Sequence, residues 1–314
     1  MSSLKPIIDL IPLKRTIIRY GAMLPPTLRT AMTNRVLIAI AGRCKHLPTH
    51  VESNLGIDWQ LRISISSANP ALLFGAPRLF VGERSSLDLA AVLLRHSSCF
   101  VDIGSNVGLY VFYLRRRASS EKPIYFFEPD PILFQRLQSN IARNGLNCIE
   151  GHNIAVADSV GKAVFFRNQT DDNSGSLIQE DWSKHTLEPI EVEKTSFHEF
   201  ATTRNLARVC AKVDIEGAEE LFFEGAKSSL GKLSYLIMEI LGPAIHRGFP
   251  LRLISEGKLQ AYYINDYELE HSVSGEYRYR APFYNWLFCK DTPGDLRHKL
   301  ADTPFRVSES RQPA

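Results

Sequence analysis

The chain has 314 residues, 44% of them apolar and 23% charged, an ordinary balance for a folded globular protein. A net charge of +3, from 37 Lys and Arg against 34 Asp and Glu, gives no case for a dedicated nucleic-acid surface. No run approaches 18 uninterrupted apolar residues, so no membrane span is expected, and five scattered cysteines without metal spacing predict reduced thiols in a cytoplasmic protein.

Lys5, Asp9, Lys14 and Arg15 break up the N-terminal apolar residues, so no secretory signal is expected. Residues 1 to about 55 read as helical segments interrupted at Pro25-Pro26 and Pro48. The alternation Leu61, Ile63, Ile65, followed by Leu79-Phe80-Val81 after a proline-rich turn, predicts a β-hairpin or small antiparallel patch. These pieces form an N-terminal extension over residues 1–85. Ser86 to Arg95 then gives a short helix with Leu87, Ala90, Ala91 and Leu94 on one face. Glu83, just ahead of it, could reach a pocket, though a solvated loop carboxylate is the preferred reading.

Cys99 to Tyr110 is the most informative stretch. Phe100, Val101 and Ile103 form a buried strand that ends at Asp102 and Gly104; after Gly108 the period turns helical through Val107, Tyr110, Val111 and Leu114. Ser105 or Asn106 caps that helix, and Arg115, Arg116 and Arg117 suit its negative pole. A phosphate loop would need glycines five residues apart followed by Lys-Ser/Thr, and a dinucleotide fingerprint would need glycines at Asn106 and Leu109. What remains is Asp-x-Gly-x-x-x-Gly, with Glu128 ending the next apolar run, Ile124 to Phe127. A carboxylate there can hold two ribose hydroxyls, so the ligand is a nucleoside. S-adenosylmethionine fits, its amino-acid end over the glycine turn and its ribose against Glu128. A turn that merely packs a helix on a sheet leaves Glu128 unexplained.

The next helix has Asp130 as cap, Pro131 in the first turn and Gly145 past its end, with Leu133, Phe134, Leu137 and Ile141 inward. Strand, helix, strand, helix argues for parallel βαβ units, whose ligands bind beyond the carboxyl ends of the strands. Cys148 to Asp158 supplies a third strand and its loop, and Ala163 to Arg167 another extended run. Residues 168–186 form a long polar loop, Ile190 and Val192 resume a strand, and Phe197 to Ala201 starts a helix.

Val209 to Ile215 is a buried strand ending at Asp214 and Glu216, two apart and so expected on one side. Ala218, Leu221, Phe222 and Leu230 follow on a helix, and Leu236 to Ile240 forms a strand bearing Glu239. Acids at four strand ends (Asp102, Glu128, Asp214, Glu239) are the strongest sign of a working cleft, since acids seldom occupy apolar runs without a partner or a task. Leu251, Leu253 and Ile254 predict a helix, Tyr262–Ile264 and Tyr284–Phe288 two strands, and residues 291–314 a loose tail.

With those residues in place, the sequence resembles the FkbM family of S-adenosylmethionine-dependent methyltransferases. The matching pieces are Val101 to Tyr110, Phe127 to Pro131, Asn140 to Leu146, Ala155 to Asp158, Lys212 to Glu219 and Met238 to Ile240, in the family's order. The resemblance implies a Rossmann-like α/β class I methyltransferase domain over 86–290. Its sheet would be seven-stranded and mostly parallel, in the order 3-2-1-4-5-7-6 with the last strand antiparallel. It assigns Asp102, Gly104, Ser105, Asn106, Gly108, Glu128, Pro129 and Ala155 to S-adenosylmethionine. It also implies methylation of a hydroxyl on a sugar, glycolipid or related small-molecule acceptor. Where the family usually has Leu-Asp ahead of strand four, this chain has Phe197-His198.

An alcohol acceptor benefits from a base that takes its proton as the oxygen attacks. Asp214 is the candidate, Glu216 and Glu239 would position acceptor hydroxyls, and His246 is a second candidate base. The acids leave metal dependence open, but no His-containing ligand spacing supports it, and no metal ligand is assigned. A nucleic-acid or protein methyltransferase would share the cofactor site, but the chain lacks an Asn/Asp-Pro-Pro-aromatic tetrapeptide for a flipped base. A cofactor-binding scaffold without turnover would not need all four acids.

Overall fold

A computed structural model describes residues 50–53, 61–64, 83–117, 121–168, 175–178, 187–240, 244, 247–276 and 284–309. The chain divides into two units, Met1–Arg78 and Leu79–Ala314, so the boundary falls ahead of the expected residue 85. In the first unit, β1 (His50–Ser53) pairs antiparallel with β2 (Leu61–Ser64). The alternating stretch at Leu61 therefore forms a strand, but its partner is His50–Ser53, inside the segment expected to be helical. Four residues are too few to reveal a period. The other N-terminal segments and Leu79–Val81 lie outside the described residues.

The second unit opens with α1 (Arg84–Arg95), whose Leu87, Leu89, Ala90, Leu93 and Leu94 are buried. β3 (Cys99–Ile103), buried along its whole length, runs through the glycine turn into α2 (Leu109–Arg117). β4 (Ile124–Phe127) leads to α3 (Pro131–Arg143), where Asp130 caps as expected, its Oδ1 accepting from the backbone N–H of Ile132 at 2.7 Å. β5 (Ile149–His152), β6 (Ala155–Ala157), β7 (Gly161–Asn168) and β8 (Leu187–Ser196) follow, then α4 (Phe197–Thr203) and β9 (Val209–Val213). The next helix is α5 (Glu219–Ala226), tightening into a 3-10 turn before β10 (Leu233–Glu239). The chain continues through α6 (Phe249–Ser255), β11 (Gln260–Asn265), β12 (Glu268–Ser272), β13 (Asn285–Cys289), α7 (Pro293–Lys299) and β14 (Arg306–Glu309).

Nine of these strands form one sheet, in the order β14-β12-β11-β13-β10-β9-β3-β4-β5. Its inner seven, read from β5 to β11, follow the expected 3-2-1-4-5-7-6, with β13 antiparallel to both neighbours. β12 and β14 extend the far edge. Residues 291–309, within the stretch expected to be a loose tail, are accordingly structured. A Thr292–Asp295 capping box starts α7, Leu296 and Leu300 are buried, and β14 pairs with β12. Its few apolar residues are spread over two short elements, which hides the pattern. The Ala163 and Ile190 runs leave the main sheet and form a second one, β6-β8-β7.

One core cluster runs along a single face of the large sheet, from Cys99, Val101 and Val209 to Leu236, Tyr263 and Trp286. Cys99, Cys148, Cys210 and Cys289 are free thiols, the first, third and fourth buried. Among the described residues no helix is long and apolar enough to cross a membrane, and no cluster of His, Cys, Asp or Glu could hold a metal ion.

Candidate active site

Parallel pairing brings the carboxyl ends of β3, β4 and β9 side by side. Beyond those ends lies a cleft of about 760 Å³ including its open mouth. Of the residues expected to hold the cofactor, Gly104, Asn106, Glu128, Pro129 and Ala155 line it, together with Asp214 and Glu216 from the expected catalytic set.

Gly104 has φ +80°, and a Cβ there would collide with the carbonyl oxygen of Asp214. Only glycine lets β3 leave the sheet this close to the end of β9. The N–H groups of Gly104 and Ser105 both donate to the carbonyl of Phe127 at 3.0 Å, closing the turn against β4. Asn106 takes a left-handed φ of 49°. Its backbone N–H donates to Oε2 of Glu128 at 2.8 Å, while the N–H of Asp130 donates to Oε1 at 2.9 Å. Burial pushes the Glu128 carboxyl up to about 7, against the pull of those two N–H groups. Asn153 ties the same loop down by donating to the carbonyls of Glu128 and Pro129.

Three expected residues serve the cleft from outside it. Ser105 is buried and its hydroxyl donates to the carbonyl of Asp102 at 3.0 Å, so it braces the turn. At Gly108 a Cβ would collide with Leu137 of α3, so this glycine answers to helix packing and is corrected from the cofactor-lining set. Asp102 lies beneath the turn, 2% exposed, and its Oδ2 makes no hydrogen bond. Burial raises its carboxyl to about 7, and Lys212 pulls the other way.

Behind the cleft is a polar well that the sequence only half revealed. Asp102 stands in register with Lys212, Lys212 with Ile237, and Glu239 (two residues beyond Ile237) with Asn285. Register partners and residues two apart share a sheet face, so Asp102, Lys212, Glu239 and Asn285 point the same way. The Lys212 ammonium donates to Oδ2 of Asp214 at 3.1 Å and lies 5.6 Å from the Tyr110 ring centroid. Glu83, expected to be solvated, closes the well instead: the Tyr110 hydroxyl donates to its Oε2 at 2.6 Å and the Asn285 amide to its Oε1 at 2.8 Å. Glu239 belongs to this well and not to the cleft lining. Its carboxyl is held far above the usual range by burial and by Asp214, with Lys212 opposing.

Lys212 was missed although it had a signal, a lysine inside an apolar strand. For Glu83 a pocket was one of two readings, and Tyr110 and Asn285 had no signal, because the three meet only through the fold. Phe165, Arg167 and Asn168 of β7 line the cleft as well, brought there by the small sheet. His246 lies outside the described residues, and His198 is bonded through Nδ1 to Ser229.

Residues 102–256 match the profile described as the methyltransferase FkbM domain. Over those residues the chain is an FkbM methyltransferase domain. Methyltransferase 1 of Beauveria bassiana (strain ARSEF 2860) is 28% identical over 140 residues, 39% of this chain and 55% of that protein, so the match spans about half of the relative's length. Among solved structures, the methyltransferase FkbM from Methylobacillus flagellatus KT superposes with a TM-score of 0.41 at 16% identity, over 61% of this chain and 43% of that one. An rRNA methylase from Streptococcus thermophilus gives 0.38 at 10% identity, over 66% and 93%. The FkbM domain works with S-adenosylmethionine, and the residues present fit that molecule. A glycine cradle that any Cβ would fill lies beside two buried carboxylates, one of them with an oxygen that has no partner.

Proposed function

We propose that this FkbM domain methylates a hydroxyl oxygen, on a sugar, glycolipid or related small-molecule acceptor, with Asp214 as the base. The observation that carries this reading is the place of Asp214. Its backbone abuts Gly104, its side chain is 31% exposed, and it lines the cleft beside Glu216.

S-adenosylmethionine, when bound, supplies an electrophilic methyl group on a sulfonium. Glu128 holds the ribose hydroxyls: each of its oxygens accepts one backbone N–H and keeps a lone pair for a hydroxyl donor. Gly104, Asn106, Pro129 and Ala155 shape the remainder of the nucleoside site, and Asp102, braced by Ser105, supports the amino-acid end from below. Asp214 would take the acceptor's proton at Oδ1, freeing the acceptor oxygen to attack the methyl group that the bound cofactor would supply. Glu216 orients acceptor hydroxyls, whereas Glu239 lies in the well behind the cleft, so most of the rate gain comes from alignment.

The test is transfer of labelled methyl from the cofactor onto a panel of methyl glycosides, with tRNA as the contrasting acceptor. Methylated glycosides and inert tRNA are expected, with Asp214→Asn reducing turnover by about 10²–10⁴-fold at nearly unchanged S-adenosylhomocysteine affinity. Methylation of tRNA alone, or full turnover in Asp214→Asn, would contradict the reading.

A further inference from the structure

Lys212 is a charged side chain in the buried interior of β9, 1% exposed. A buried ammonium is costly unless other groups compensate it. Here the compensation comes from several elements at once: Asp102 on β3, Asp214 just past β9, Glu239 on β10 and Glu83 ahead of α1, with the Tyr110 ring of α2 alongside. One cation thus faces four carboxylates. Burial alone would lower its affinity for a proton, yet Asp214, Glu83 and Glu239 together raise it above the usual lysine range, so the charge persists at every working pH. Glu239 takes up the imbalance. Burial, Asp214, Glu83 and Glu216 hold its proton on, and Lys212 only partly opposes them.

The geometry at Asp214 is asymmetric. Lys212 donates to Oδ2, which leaves Oδ1 as the oxygen that can meet an acceptor. Glu83 cannot swing in to compete, because Tyr110 and Asn285 hold one oxygen each. We propose that Lys212 is a positioning residue for methyl transfer: it fixes Oδ2 of Asp214 so that Oδ1 faces the acceptor, and acts as the shared counter-ion of Asp102 and Glu83. This rests on the reading of Asp214 as base.

Lys212→Met and Lys212→Arg test it. In chain labelled with 13C at its carboxyl groups, Asp102, assigned through Asp102→Asn, titrates at about 7. Lys212→Met moves that midpoint up by about one pH unit or more, and Lys212→Arg largely restores it. Turnover on whichever panel glycoside is methylated falls by about 100-fold in Lys212→Met, while S-adenosylhomocysteine affinity stays within about threefold. A purely structural lysine would lower the melting temperature and leave the midpoint in place. An unmoved midpoint, or cofactor affinity falling in step with turnover, overturns the proposal. Should Lys212→Met fail to fold, Lys212→Met/Glu83→Gln removes one charge of each sign; the Asp102 midpoint still rises, by less, because Glu83 no longer adds its upward push. The titration needs no acceptor, so it still decides if no glycoside is methylated, whereas full turnover in Asp214→Asn strikes the base reading directly.

Discussion

Glu128 illustrates how one carboxylate can be buried and still be ready for a ligand. It is 4% exposed, and each oxygen is aimed by a backbone N–H, from Asn106 on one side and Asp130 on the other. Glu128→Ala removes both charge-assisted bonds to the ribose and should weaken S-adenosylhomocysteine binding by about 1–3 kcal/mol in calorimetry. Affinity equal to that of the parent would mean that the ribose lies elsewhere. The same residue governs a pH dependence. Burial raises the carboxyls of Asp102, Glu128 and Glu219 to about 7, above their ordinary values. Between those ordinary values and about 7 the native chain keeps protons that the unfolded chain has released. Their contribution to stability is therefore full at low pH and is lost as pH rises to about 7. Cofactor binding runs the other way, because hydroxyl donors favour the ionised form of Glu128. S-adenosylhomocysteine affinity should rise by about tenfold between about pH 6 and pH 8 and release protons, and Glu128→Gln should abolish both effects. Binding that is flat with pH in the parent chain would refute the assignment of Glu128 to the ribose.

At the scale of elements, the two glycines of the turn look equivalent in sequence and do different work. Gly104 (φ +80°) meets the backbone of Asp214, and Gly108 (φ +83°) meets Leu137 on α3. Alanine at either position should cost about 1–3 kcal/mol in chemical denaturation. Only Gly104→Ala should also weaken S-adenosylhomocysteine binding, since only Gly104 lines the cleft. Equal losses of affinity at the two positions would show that the whole turn acts as a unit. The strands that carry strand-end acids were legible because a carboxylate closing an apolar run is a two-part signal, and β3, β4, β9 and β10 all show it. β12 was not, since Glu268, Glu270 and His271 leave only Leu269 as a deeply buried apolar residue. The well was illegible for a different reason. Glu83 and Asn285 are 202 residues apart, and no local pattern says that they share a hydrogen bond.

For the whole molecule, the decisive departure from the sequence reading is the C-terminal segment, where a dispensable tail was expected. Leu296, Leu300 and Phe305 are each no more than 6% exposed. Lys299 donates to Asp291 at 2.6 Å and to the hydroxyl of Tyr235 at 3.0 Å, and Tyr235 lies on β10, one strand from the strand that carries Lys212. β14 also covers β12, which would otherwise be a bare sheet edge. A chain ending at Asp291 loses three core side chains, about 5–9 kcal/mol at the usual value per buried residue, and leaves Asp291 without its ammonium partner. That is comparable to the whole stability of a typical domain. The shortened chain should therefore unfold at ordinary temperature or melt far below the full chain, and S-adenosylhomocysteine should rescue it only in part by mass action. Thermal unfolding followed by circular dichroism, with and without ligand, decides it. If the shortened chain melted together with the full one, the sheet could end at β12 without penalty and the last two elements would contribute nothing to the fold.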